Sequence, residues 1–390
     1  MKKRTCILMA SLLALGCLFV KAESKTDKLP VVDFSKEYPK KEFLLQDIAD
    51  ISYVPLETTD DVLLSNRAVL SCVTDNYILV HEFTRGDVFL FDRAGKIISH
   101  FSHKGQSGQE YPWIGSAGTI LDEKNKEIYV CSRSIQVYSL TGEYKRTLKI
   151  NTLDVDRKVF NFNDEALLVY DDVVIEPNFT HKTKKSPYRL ISKKDGSDIE
   201  KLDLFFPVRY SNRMALQDDK GWRPVVIWSE DNKFYGRDFM IADMSSDTLL
   251  LLTQDKKLTP ILRRKPSVHD TDPKLVWQTY LTTDRFVIIG AWALDFNSEG
   301  GRIPMYMYNF ETKEIFRSTF LDAEFGMSEW SMGMALGGAT ATAKNVHAGF
   351  VQAESIINAY NKKQLNESAT KFAANLDVED NFVVCIIKFK

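Results

Sequence analysis

Apolar residues recur along this chain in short runs that alternate with polar positions, the pattern of half-buried β-strands. The clearest example contains strands at 77–80, 87–91 and 96–101 and a turn at 92–95. The turn carries Asp92 and Gly95, residue types that tight turns favour. The segment is therefore predicted to form antiparallel strands joined by tight turns.

The same order of strand, strand, turn and strand returns about every 40–55 residues, the repeat length of a propeller blade. Later copies lie near 127–150, 166–192, 239–252 and 285–309. A β-sandwich also has many short strands, but it does not repeat the same order of strands and turns at a fixed interval. The pattern predicts an all-β fold, a six-bladed β-propeller with four-stranded antiparallel blades, with seven blades as the alternative.

The two ends of the chain contain strands that are suited to closing a ring. The run at 382–389 is a strong final strand, and 51–56 is another extended run. Because unpaired sheet edges invite aggregation, we expect 382–389 to share a blade with strands before Asn66. Between 352 and 376 the apolar spacing changes to that of a helix, which predicts a short helical insertion near the C-terminus.

The first residues are typical of a targeting signal. Lys2, Lys3 and Arg4 precede the uncharged, mostly apolar run 5–20, and small residues follow near Ala22. The run is short for a transmembrane span, which needs about 20 apolar residues. We interpret residues 1–22 as a cleaved signal peptide and 23–390 as a single propeller domain without a transmembrane span.

An alternative processing route starts from the segment 14–17, which approximates a lipobox and would make Cys17 a lipidated N-terminus. The apolar stretch continues past Cys17, which favours simple cleavage. We expect mass spectrometry of protein from the native envelope to find Glu23 at the mature N-terminus. A diacyl or triacyl mass on Cys17 would show that the lipoprotein route is used.

Charge and cysteine content exclude some classes of protein. Removing residues 1–22 takes away four basic residues and no acidic one, so the formal charge changes from −2 to −6. A chain with this negative charge lacks the basic surface that would attract nucleic acids, and no nucleic-acid partner is expected. Cys72, Cys131 and Cys385 remain, each in an apolar strand-like run, which predicts buried free thiols.

Three segments resemble parts of secreted six-bladed β-propeller proteins of Gram-negative gut bacteria. The run 51–58 is similar to their entry motif, and 105–111 resembles their connector G-x-G-P-G-E-Y/F, with Ser107-Gly108-Gln109 in place of Gly-Pro-Gly. The closing segment 378–390 is also similar to theirs. The chain resembles NHL-repeat propellers more distantly. The resemblance implies a propeller fold over the mature chain and no specific function, because the family is largely uncharacterised.

Motifs of common catalytic sites are missing from the sequence. There is no G-x-S-x-G elbow, no phosphate-binding P-loop and no H-E-x-x-H motif. Acidic pairs such as Asp171 and Asp172 are also typical of turns between blade strands. The sequence therefore predicts no catalytic residue, metal or cofactor, although propeller enzymes assemble their sites from distant segments.

Aromatic and charged residues between the strands are the candidate ligand-binding groups. Glu110, Tyr111 and Trp113 lie between the first two blades, and Trp222 and Arg223 end a polar loop. Exposed aromatic rings stack on sugars, and arginine binds carboxylates in bidentate fashion. The alternative is that Glu110 caps backbone amides while the aromatic rings seal the seam between blades.

Together these patterns predict an exported, non-catalytic binding module of the periplasm or cell envelope, with an outer-membrane lipoprotein as an alternative form. Its partner would be a glycan, a peptide or an envelope protein bound on one propeller face. A propeller lyase or hydrolase with a site at the central channel is the alternative function. A structural subunit of a surface assembly is a third possibility.

Overall fold

Six β-sheets surround a common axis in the computed structural model, which confirms the predicted six-bladed propeller. The structure describes residues 29–115, 117–150, 157–171, 186–219, 221–226, 233–235, 238–295, 304–324 and 343–390. The predicted signal peptide and Cys17 lie outside these ranges.

The N-terminal segment supplies strands to three different blades, and we call it the N-terminal belt. It contains β1 (Val31–Asp33), β2 (Lys40–Leu44), α1 (Leu45–Ile48) and β3 (Ala49–Pro55).

The first three blades each contain four antiparallel strands, as predicted. Blade 1 contains β4 (Ala68–Val73), β5 (Tyr77–Glu82), β6 (Asp87–Asp92) and β7 (Ile97–Ser102). Blade 2 contains β8 (Thr119–Asp122), β9 (Glu127–Cys131), β10 (Ile135–Ser139) and β11 (Tyr144–Leu148). Blade 3 contains β12 (Arg157–Asn161), β13 (Ala166–Asp171), β14 (Tyr188–Ser192) and β15 (Asp198–Lys201).

A two-stranded hairpin separates blade 3 from blade 4. It is formed by β16 (Arg213–Asp218) and β17 (Gly221–Val226).

Blades 4 and 5 each have four antiparallel strands and a fifth strand from the belt. Blade 4 contains β18 (Lys233–Tyr235), β19 (Asp238–Ile241), β20 (Thr248–Leu252) and β21 (Leu258–Lys265). Blade 5 contains β22 (Leu275–Thr282), β23 (Phe286–Ala293), β24 (Tyr306–Asn309) and β25 (Ile315–Leu321). The belt strands β1 and β2 pair in parallel with β21 and β25 and so cover the outer edges of both blades.

Blade 6 joins the two ends of the chain, as the terminal strands predicted. Within the described ranges it contains β26 (Val346–Val351), β27 (Val383–Phe389) and β3, with β27 in the middle. Between β26 and β27 lie the helices α2 (Ala353–Asn361) and α3 (Glu367–Ala373), which confirm the predicted insertion.

The apolar core is divided among the seams between neighbouring blades. One cluster of buried side chains fills each of the six seams, and the cluster between blades 6 and 1 joins Val384 and Ile386 to Val80 and Phe89. This arrangement arises because successive side chains along a strand point to opposite faces of the sheet, so those of a central strand face the two neighbouring blades in turn. Cys72, Cys131 and Cys385 are buried free thiols in these seams, as predicted.

Candidate functional site

One face of the ring carries both loop segments that the sequence singled out. Neighbouring strands of a blade run in opposite directions, so the loop between its second and third strands leaves the same end as the connector to the next blade. The contacts agree, because Gly115 and Gly118 of the first connector exchange backbone hydrogen bonds with Cys131 at the end of β9. We call this side of the propeller the connector face.

Glu110 holds its own connector in shape. Its Oε2 accepts a hydrogen bond of 2.8 Å from the backbone N–H of Ser107, and this bond lowers the pKa of Glu110. Gly105 lies so close that a Cβ there would be 2.0 Å from the same oxygen. The carboxylate therefore does what the alternative interpretation described, capping backbone amides in its turn.

Tyr111 is fully buried in the seam between blades 1 and 2. Its hydroxyl donates to the carbonyl of Gly86 at 2.7 Å and accepts from the backbone N–H of His103 at 3.0 Å. The ring of Tyr138 meets it edge-on, with centroids 6.1 Å apart. Tyr111 thus fixes the connector to the loop of blade 1, and its ring lies in the core.

Trp113 pairs with a residue that the sequence analysis missed. The exposed guanidinium of Arg133 lies 5.0 Å from the centroid of the half-buried Trp113 ring, a cation–π arrangement. Arg133 comes from the loop between β9 and β10, whereas Trp113 comes from the preceding connector. The contact between Trp113 and Arg133 could be predicted only if it were known that both segments leave the same end of their sheets.

Trp222 and Arg223 belong to the hairpin between blades 3 and 4. Their backbones pair with Gln217 and Leu216 of β16, and their side chains lie outside the part of the chain that is described. This hairpin interrupts the third connector, so it starts from the connector face. The two predicted segments therefore share a face but occupy seams two blades apart.

A pocket of about 480 Å³ opens beside blade 4, in the range typical of small-molecule sites. The belt, the loop between β19 and β20, and the connector to blade 5 all contribute to its wall. Its lining residues are Val31, Asp33, Ser35, Asp247, Arg263, Arg264, Lys265, Pro266, Ser267 and Asp270. This pocket is not predictable from the sequence because its walls come from three distant segments.

Arg264 is the buried cation of this pocket, with 3% of its surface exposed. Its Nε donates to the carbonyl of Pro266 at 3.0 Å and its Nη1 to the carbonyl of Leu275. The guanidinium also lies beside two rings, 5.3 Å from the centroid of Phe34 and 5.7 Å from that of Trp277. Burial lowers the pKa of Arg264 to about 10, so it remains charged at neutral pH.

The bonding of Arg264 is incomplete within the described ranges. Its Nη2 is buried and has no acceptor there, and no carboxylate lies within ion-pair distance of the guanidinium. Buried charges in proteins are normally paired with an opposite charge or fully hydrogen-bonded. A hydrogen-bond acceptor at Nη2 would complete the bonding of this guanidinium.

A second polar cluster lies on the inner strands of blades 1 and 2. Ser71 Oγ is 2.7 Å from His81 Nδ1 and 2.7 Å from Thr119 Oγ1. Burial lowers the pKa of His81 to about 3, and its Nε2 has no hydrogen-bond partner among the residues described. The pair has the contact of a nucleophile with a base, but among the described residues no third group orients the imidazole.

The described ranges of the chain hold no group of three or more His, Cys, Asp or Glu side chains arranged for a metal ion. They also hold no helix that is long and apolar enough to cross a membrane.

Comparisons with known proteins agree with the fold. The family model "Domain of unknown function (DUF4934)" matches residues 29–388. A Bacteroides fragilis NCTC 9343 protein, named as exported, has a similar structure with 11% identity and a TM-score of 0.61, over 92% of this chain and 99% of its own. No curated protein sequence matches the chain.

Two other solved structures are more distant. A member of the DUF4221 family from Bacteroides vulgatus has 11% identity and a TM-score of 0.48, over 88% of this chain and 97% of its own. The virginiamycin B lyase of Staphylococcus aureus has 8% identity and a TM-score of 0.33, over 68% of this chain and 98% of its own. At these identities the similarity concerns the fold, and function has to be argued from the site.

Proposed function

The chain belongs to the DUF4934 family, and we propose that it is an exported binding module that recognises a glycan, a peptide or an envelope protein on its connector face. In this proposal residues 1–22 are removed and 23–390 form one propeller domain in the periplasm or cell envelope. The apolar N-terminal run and the similarity to a Bacteroides protein named as exported support the export. The proposed function is non-catalytic.

The convergence of loops on one face is the observation that carries this proposal. The Trp113–Arg133 pair, the hairpin with Trp222 and Arg223, and the pocket of about 480 Å³ all belong to it. Loops on a rigid scaffold are where binding residues concentrate. Glu110 and Tyr111 contribute by holding the first connector in place, and Trp113 offers the ring that a sugar or peptide would contact.

We expect the substitutions Trp113→Ala, Trp222→Ala and Arg223→Ala each to weaken ligand capture at least about ten-fold, as loss of an aromatic or arginine anchor does. The free energy of unfolding should change by less than about 1 kcal/mol, the range of surface substitutions. Affinity electrophoresis against neutral and acidic polysaccharides, and pull-down of envelope proteins and peptide pools, measure the capture. Chemical denaturation measures the stability.

Ile98→Ala is the matched control for these variants, because Ile98 is 45% exposed on the outer strand of blade 1, away from the connectors. It should leave capture unchanged. If the three variants capture as well as the parent protein, or lose stability instead, then Trp113, Trp222 and Arg223 are not the binding residues.

A second candidate function is a propeller enzyme acting near the central channel. The contact of 2.7 Å between Ser71 and His81 favours it, since a hydroxyl beside an imidazole is the arrangement of an activated nucleophile. The same set of polysaccharides, peptides and envelope proteins distinguishes the two functions, because a binding module leaves its ligand chemically unchanged. Turnover of a captured ligand that disappears in Ser71→Ala would favour the enzyme.

A further inference from the structure

Three consecutive cations end the outer strand of blade 4 at the pocket. Side chains alternate along a strand, so Arg263 and Lys265 face the opposite way from Arg264. The first two are exposed and the third is buried. Within the described part of the chain, no carboxylate lies within 4.0 Å of any of these three cationic groups.

Two carboxylates of the pocket, those of Asp247 and Asp33, already accept hydrogen bonds from neighbouring residues. Asp247 Oδ1 accepts from the backbone N–H of Val268 at 2.8 Å. Asp33 Oδ1 accepts from the N–H of Ser35 at 3.1 Å and from its hydroxyl at 2.6 Å. The lining holds three acidic and three basic residues, so its formal charge is zero, and the cationic atom left without a partner among the described residues is Arg264 Nη2.

The remaining lining offers partners for hydroxyl groups. Ser267 and Asp270 start the connector to blade 5 at the pocket wall, and Ser35 comes from the belt. Hydroxyls of a ligand donate to carboxylate oxygens such as those of Asp270 and exchange hydrogen bonds with serine. The pocket therefore combines a cationic side with an acceptor-rich side.

We propose that this pocket binds a small hydroxylated carboxylate of the sugar-acid type, with its carboxylate against Arg264 and its hydroxyl groups towards Asp270 and the serines. The volume of about 480 Å³ suits a ligand of one or two sugar rings. A planar guanidinium matches a planar carboxylate, which gives the site its selectivity over neutral sugars. The inference rests on the proposed binding function and names one class of ligand for it.

The test is calorimetric titration of the full mature chain with D-glucuronate and D-galacturonate, beside glucose and galactose as neutral counterparts. The sugar acids should bind at least about ten-fold more tightly than the neutral sugars, as a charge-assisted hydrogen bond implies. Their affinity should fall as the salt concentration rises. Equal affinity for acid and neutral sugars, or no binding of the acids, would overturn the proposal.

Variants locate the site without depending on a single buried residue. Arg264→Lys keeps the charge but loses the planar fork, and we expect an affinity loss of about ten-fold. Because Arg264 also joins two blades, the double variant Arg263→Gln/Lys265→Gln tests the pocket with exposed residues only, with an expected loss of about five-fold. Lys257→Gln, an exposed lysine at the other end of β21, is the control and should bind as the parent protein does.

The failure of this inference can be told apart from failure of the proposed function. If the double variant binds the sugar acids like Lys257→Gln, the pocket is not the site, whatever the outcome for Trp113. If no sugar acid binds while Trp113→Ala still weakens capture of a polymer, the connector face binds a ligand of another class. If the sugar acids bind at the pocket and Trp113→Ala has no effect, the pocket stands and the wider face does not.

Discussion

Removal of the last nine residues, 382–390, is expected to abolish the cooperative fold of the whole ring. Strand β27 is the middle strand of blade 6 and pairs with β26 on one side and β3 on the other. Its side chains from Val383 to Ile387 and Phe389 are at most 4% exposed. Burial of each large apolar side chain contributes about 1.5–3 kcal/mol, so the strand contributes on the order of 10 kcal/mol, as much as a typical domain's total stability.

Circular dichroism and urea denaturation of the truncated chain measure this loss. The control is a chain that lacks only Lys390, whose side chain is exposed. It should unfold at nearly the same urea concentration as the parent protein. A truncated chain with the parent's unfolding midpoint would show that blade 6 does not close the ring.

The second large effect is expected from Glu127→Gln, which should lower the free energy of unfolding by about 3 kcal/mol at pH 7. Both oxygens of Glu127 accept from Arg146 at 2.7 Å, and Lys145 and Tyr129 donate at 2.5 and 2.8 Å. Arg146 also donates to the carbonyl of Lys193 in blade 3. The substitution therefore leaves two cations without their anion at the seam between blades 2 and 3.

The effect should depend on pH in a defined direction. Burial alone would raise the pKa of Glu127, but hydrogen bonds from Arg146, Lys145 and Tyr129 outweigh it and lower the pKa to about 2. A lowered pKa in the folded state stabilises the protein above the ordinary glutamate pKa, and this contribution is lost as pH falls towards the folded value. The stability difference between parent and variant should be full at pH 6 and shrink between pH 5 and 2.

Denaturation curves at several pH values measure this difference. Glu143→Gln, at an exposed glutamate in the turn of the same blade, is the control and should change stability by less than about 0.5 kcal/mol. A difference for Glu127→Gln that stays constant from pH 6 to pH 2 would mean that the ion pair does not contribute as a charge pair.

The blade strands were predictable because their signal is local. The apolar runs in 77–80 and 87–91 appear in the sequence itself, and β5 and β6 contain those runs. The pairing of β27 with β3 also followed from the general need to cover sheet edges. The short belt strands β1 and β2 were not predicted, because three to five residues carry little periodicity and their parallel partners lie far along the chain.

The candidate site was predictable only in part, for a related reason. The connector with Glu110 and Trp113 was found as a polar and aromatic segment between strands. The burial of Tyr111 was not predicted, because a tyrosine can pack in the core or present its ring to a ligand. Only the three-dimensional packing distinguishes these two roles. Arg264 appears in the sequence as one of three consecutive basic residues, and nothing local distinguishes it as the buried one. The ligand-binding roles of Trp222 and Arg223 stay predictions.

The N-terminal belt has a consequence for the order in which the protein acquires its structure. A ribosome makes β1 and β3 early, yet Val31 pairs with Arg263 and Asp50 pairs with Lys388. The first strands to be synthesised are therefore among the last to find partners, because those partners are made near the end of translation. Long-range pairing of this kind slows folding. Blades 1 to 3 contain no strand beyond residue 201, whereas the ring becomes complete only when the final residues are available.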